Sequence, residues 1–211
     1  MSLYTQVSVG EALDKLSILD IKMDLIKDSR REHVKVEFDV LSNQLQSYIE
    51  KQPQLYQLLK NINLVIWREM DLLRDGDLLD KEYSQLCRKT VKDNDIRFRI
   101  KNKINLACQS VLKEQKGYKK TQIVLNLLEN NDFQTCYFII QYYSVRYDET
   151  TVLTFNSTIQ SKFEYDSSIV FLKENPVLIK SIIIPNQPIN QILNLLGIEQ
   201  EELEIYGCRN C

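Results

Sequence analysis

Between Ser8 and Val111 the apolar residues return every three or four positions, so this half of the chain can bury a continuous surface by coiling into helices. Ser8 and Glu11 have the spacing of a capping box and predict a helix start. Ala12, Leu16, Leu19, Met23 and Ile26 then form a stripe to about Lys27, and residues 28–31 read as a turn. A second helix follows from Glu32 on Val34, Phe38, Leu41, Leu45, Tyr48 and Ile49. Pro53 suits the first turn of a third, where its missing N–H costs nothing. That helix carries Leu55, Leu59, Ile62, Ile66, Trp67, Met70 and Leu73, with Gly76 placed as a left-handed C-cap. A short helix is expected over Asp80 to Val91. A long one, capped by Asp93 or Asn94, should bury Ile96, Ile100, Ile104, Ala107 and Val111.

Past Gly117 the pattern changes. Cys136 to Tyr143, Thr150 to Phe155, Ser168 to Leu172 and Leu178 to Ile184 are short runs rich in Ile, Val, Tyr, Phe and Thr, and they read as strands. Helical patterns are expected at 121–130, 157–164 and 188–196. The fold class expected is α+β: an N-terminal antiparallel bundle of long helices over residues 1–120, then a small strand-containing α/β domain over 121–211 with a frayed C-terminal tail.

Charge is unevenly placed in this framework. Residues 88–120 hold eleven Lys/Arg against three acidic residues, a local excess of +8 in a chain of net charge −2. On a helix that buries its isoleucine seam, Arg97 and Lys101 fall on one flank and Arg99 and Lys103 on the other, so the basic residues should line its outer surface. Such a surface favours an anionic partner, unless acidic neighbours neutralise it within the fold or across a homo-oligomer.

The motifs exclude more than they assign. None of the five glycines falls in a phosphate-cradling pattern, so any phosphate would be held by side chains or a helix N-terminus. His33 is the sole histidine and lies in a charged stretch, where an ordinary surface role is expected. Asp75-Gly76-Asp77 and Asp93-Asn94-Asp95 have the D-x-D form that holds a divalent metal beside a diphosphate, but each is placed for helix capping, so no metal site is expected. Cys208 and Cys211 make one C-x-x-C pair at the very end, at most half of a zinc site. Tyr137, Tyr142, Tyr143 and Tyr147 suit a packed sheet face better than base stacking. The five cysteines are odd in number and unevenly spaced, which argues against a disulfide framework. With no secretory pattern at the first residues and no apolar run long enough to span a bilayer, a cytoplasmic location is expected. No cofactor is implied.

Three stretches in order, Val7 through Lys22, Leu64 through Met70 and Lys92 through Tyr118, resemble an uncharacterised helical family of bacteria and giant viruses, often found beside glycosyltransferase or surface-polysaccharide genes. The resemblance covers about residues 7–118, and the strand-rich tail departs from it. It implies a neighbourhood in glycan assembly and no defined activity. Its recurrent polar positions match Glu11, Asp14, Lys15, Asn94, Asp95, Arg97, Lys103 and Asn105. In a bundle, Glu11 or Asp14 could meet Arg97 or Lys103 as an ion network, or these residues could line a sugar-phosphate pocket. The leading expectation is a non-catalytic interaction or accessory module that self-associates or binds a partner protein. The alternative is a nucleotide-sugar protein or enzyme using Arg97, Arg99, Lys101 and Lys103, and a weaker one is nucleic-acid binding by the same helix.

Overall fold

A computed structural model describes residues 5–117, 119–173, 181–199, 202, 205 and 206. The chain forms two compact units, Met1–Gln115 and Lys116–Cys211. The first is four helices: α1 (Val9–Leu25), α2 (Arg30–Lys51), α3 (Pro53–Asp75) and α4 (Asp80–Ala107). The second alternates strand and helix: β1 (Gln122–Asn126), α5 (Phe133–Ser144), β2 (Glu149–Leu153), α6 (Ser157–Lys162), β3 (Ile169–Leu172), β4 (Ile182–Ile183) and α7 (Ile189–Leu196). The protein is α+β, with a helical N-terminal region and a small four-stranded sheet.

Local chemistry sets the helix starts. The Ser8 hydroxyl accepts the Glu11 N–H at 3.1 Å, one half of the expected box, while the Glu11 carboxylate turns to another helix. Gln52 alone joins α2 to α3, with Pro53 in the first turn. Gly76 ends α3 in extended geometry at φ −76°, not in the left-handed region expected for it.

The expected break at residues 91–94 does not occur, and α4 runs unbroken for 28 residues. No glycine or proline lies within it. The Asp93 carboxylate takes the Lys89 ammonium one turn back, at 2.7 Å, and caps nothing. Ile96, Ile100 and Ile104 are buried together with Leu13, Leu16, Leu58, Leu59 and Ile62 of α1 and α3. Val111, expected in that seam, lies beyond the helix and is 94% exposed. Leu45 is the one fully buried residue among those described in α2, which lies on the outside and packs mainly on α1.

In the second unit the strands are all parallel, in the order β3-β2-β1-β4. Two expectations reverse here. Residues 122–126, expected as part of a helix, form a central strand. Residues 136–143, expected as a strand, lie in α5, which Asp132 caps by accepting the Thr135 N–H at 2.7 Å. Cys136, Ile139, Ile140 and Tyr143 are buried at helical spacing, and a helix covered on most sides shows the same unbroken apolar run as a buried strand. Residues 150–155, 168–172, 157–164 and 188–196 form β2, β3, α6 and α7 within a few residues of expectation. Of 178–184, only the part from Ser181 is described, and β4 lies in it; the Cys208/Cys211 tail is outside the described residues. Gly197, at φ 64°, supplies the left-handed cap of α7.

At Gly10 the backbone of α1 passes close to that of α4. A Cβ there would sit 2.4 Å from the Lys101 carbonyl oxygen, so only glycine fits without a shift. Gly10→Ala is expected to lower unfolding free energy by about 1–3 kcal/mol. Gly117→Ala, with nothing within 4 Å, should change it by less than about 0.5 kcal/mol. Urea denaturation of both variants checks this.

Candidate functional site

The polar residues of the N-terminal unit converge inside it, where α1 meets α3 and α4. Gly10, Glu11 and Asp14 meet Asn105, Lys101 and Arg97 in reverse order, so α1 and α4 run antiparallel. At the top of α1, three backbone donors are taken by side chains. The Val9 N–H goes to the Ser110 hydroxyl (3.2 Å), the Gly10 N–H to Asn105 Oδ1 (2.7 Å) and the Glu11 N–H to Ser8. An anion arriving at this helix end would find those donors already used.

One turn further along, the Lys101 ammonium lies between Glu11 (2.8 Å) and Glu114 (2.7 Å). Burial alone would lower its pKa, but the two carboxylates outweigh that and hold it above the ordinary lysine value. Another turn along, the buried Asp14 carboxylate receives the Arg97 guanidinium in a two-point contact, Nε at 3.0 Å and NH2 at 2.9 Å. Asn63 Nδ2 of α3 donates to Asp14 at 2.9 Å and to the Ser17 hydroxyl at 2.7 Å, and Ser17 donates back to the Asp14 carbonyl.

Arg97 and Lys101 therefore turn inward, and Lys103 is buried, contrary to the expected outer basic surface. The reason is that α4 packs against both α1 and α3, so the flanks of its isoleucine seam are covered along with the seam. Arg99 and Asp95 are half-buried, and Asn94 is exposed and touches Arg97 at 3.4 Å. Lys15 stands apart from the network, on the outer side of α1, paired with Glu37 of α2 at 2.6 Å. His33 is exposed. Asp93, Asn94 and Asp95 lie in mid-helix and point in different directions, and Asp75 and Asp77 are exposed. Among the described residues no three His, Cys, Asp or Glu side chains group as a metal would require. Tyr142 and Tyr143 are buried ring against ring on α5, and Tyr206 packs edge-on to Tyr142, so these rings serve packing.

A second cluster, two buried carboxylates under an exposed lysine, was not legible in the sequence. Lys89 of α4 bridges Glu69 of α3 and Asp93, both largely enclosed. Among the described residues Glu69 Oε2 is buried with no donor to accept from, and the Asp93 carboxyl lies near the same side chain. Burial, and after it the opposing pull of Lys89 and the push of Asp93, leave the Glu69 carboxyl raised above its ordinary value. The one signal available was placement: Asn63 and Glu69 both interrupt the apolar stripe of α3 beside Ile62 and Ile66.

One family model, described as a family of unknown function (DUF6165), matches residues 3–136. No curated protein and no solved structure matches the chain. The matched region runs through all four helices and into β1 and the start of α5, so part of the strand-containing unit lies within the family and is not wholly an addition to it.

Two outcomes test the electrostatics. Arg97→Met, which leaves Asp14 buried without its cation, is expected to cost about 3–5 kcal/mol, and adding Asp14→Leu should recover most of it. A double-mutant cycle in urea measures the coupling. The raised Glu69 value stabilises the fold below its unfolded value of 4.5, and that contribution is lost as pH rises through the folded value. Glu69→Gln, whose amide takes the place of the protonated acid, should therefore melt higher than the parent at pH 8, with the gap closing toward pH 4.5.

Proposed function

The chain belongs to this family of unknown function, and we propose that it is a non-catalytic interaction module, a cytoplasmic accessory in the assembly of glycans. The observation that carries this reading is the internal neutralisation of α4. Arg97 and Lys101, two of the cations that a diphosphate would need, are held by Asp14, Glu11 and Glu114 of the same unit. A phosphate gaining Arg97 would strand the buried Asp14, a cost of several kcal/mol that the new ion pair must first offset. The network fixes the register of the helices, as suits a scaffold, and leaves α2 outermost. There Val36 and Val40, one turn apart and 68% and 53% exposed, are where self-association would bury apolar surface. The glycan neighbourhood rests on the resemblance of the three N-terminal stretches.

Arg99 keeps the nucleotide-sugar reading in play, since it is half-exposed on the basic helix. Thermal-shift assays against UDP- and GDP-sugars, with and without Mn²⁺, separate the two. The interaction reading expects an unchanged melting temperature and an oligomer by light scattering that Val36→Glu with Val40→Glu dissociates. A rise of several degrees with a nucleotide sugar, lost in Arg99→Ala, would overturn it through ordinary ligand linkage. Binding to unrelated oligonucleotides that weakens steeply with salt would shift the assignment to nucleic acid.

A further inference from the structure

Parallel sheets are usually covered on both faces, because their strands arise from crossovers that lay helices on each side. In the second unit, strand partners in register share a face. Ile123, Thr150 and Ile169 lie in one row and Leu125 with Val152 in the next, and most of this face is buried, with α5 packed on β2. The opposite face carries the row Val124, Thr151 and Val170 across β1, β2 and β3, and Val170 is 51% exposed. A groove of about 780 Å³ lies along the amino-terminal half of the sheet and is lined by this row. That volume falls within the range of small-molecule sites.

The lining has a definite chemistry. Val124 and Val170 supply an aliphatic floor, while Gln122, Thr151 and Ser181 supply uncharged polar groups around it; the Ser168 hydroxyl donates to Asp166 at 2.6 Å. Among the described lining residues Glu149 alone is charged, and it is already engaged by Lys120 at 3.1 Å and by the Gln122 amide. A phosphate would meet this carboxylate with no cation among the described lining residues. An apolar protein surface would strip water from the hydroxyls and return no hydrogen bonds, at a cost for each. A ligand with a C–H face and a ring of hydroxyls matches both the floor and the rim.

We propose that this groove binds an uncharged polyhydroxylated small molecule of the mono- or disaccharide class, its C–H face on Val124 and Val170 and its hydroxyls on Thr151, Gln122 and Glu149. The site lies wholly within the second unit and stands or falls independently of the role proposed for the bundle.

Two-dimensional amide NMR of the full chain, titrated separately with glucose, galactose, N-acetylglucosamine, maltose, myo-inositol and glucose 1-phosphate, tests it. At least one uncharged saccharide should give saturable shifts at residues 122–124, 149–151 and 168–170, with a dissociation constant in the millimolar range. Thr151→Val keeps the shape, removes one hydroxyl and should weaken binding about threefold to tenfold. Val170→Lys, at an exposed position, should abolish binding while leaving the remaining spectrum in place. Inositol binding with no saccharide binding would overturn the assignment of class, and preferred binding of the phosphate would overturn its neutral character. Absence of saturable shifts, shifts elsewhere in the chain, or concentration-dependent broadening of these amides without ligand would overturn the site.

Discussion

Asp14 is the point on which the helical unit turns. Its carboxylate is buried between three helices and would be prohibitively costly there alone, so Arg97 of α4 and Asn63 of α3 must both be in place when the helices pack. A slip of α4 by one residue would rotate Arg97 by about 100° and leave the acid unpaired. The same register sets Asn105 over the Gly10 N–H and Lys101 between Glu11 and Glu114. Buried ion pairs of this kind add little net stability compared with apolar residues, and what they contribute is a penalty on every other alignment.

This arrangement changes the meaning of the charge concentrated in residues 88–120. As composition, it reads as a surface for anions. In the fold, Lys89, Arg97 and Lys101 each answer a carboxylate of the same unit, and Lys89 answers two at once, Glu69 and Asp93. Three of the helix's cations, Lys89, Arg97 and Lys101, face acids of the same unit.

How far the sequence revealed this follows from what periodicity can carry. The helical region and its buried isoleucines were legible, though not the continuity of α4 through residues 91–94, because a 3.6-residue repeat identifies both an element and its inner face. The meeting of Asp14 with Arg97 is one of the two arrangements that the polar pattern of the sequence allows. The inward turn of Lys101 was not legible: a single helix shows its apolar stripe but not how many neighbours cover the stripe's flanks. Lys15 illustrates the converse, a residue grouped with the network by order in the chain but facing α2. In the second unit, α5 and β1 were exchanged because a fully buried helix and a buried parallel strand have the same apolar composition, and the Asp132 cap was the one local cue that separates them. The open row of Val124, Thr151 and Val170 depends on strand register, which only the folded sheet supplies.

Side-chain nitrogen NMR of Arg97 and Lys101 tests the central claim most directly. If these cations are held by acids inside the bundle, the Arg97 Nε–H and the Lys101 ammonium protons exchange slowly with water, and their shifts stay fixed when sodium chloride or pyrophosphate is added to high concentration. Fast exchange, with shifts that follow the added anion, would mean that the groups face solvent, and the account of a self-neutralised bundle would be contradicted.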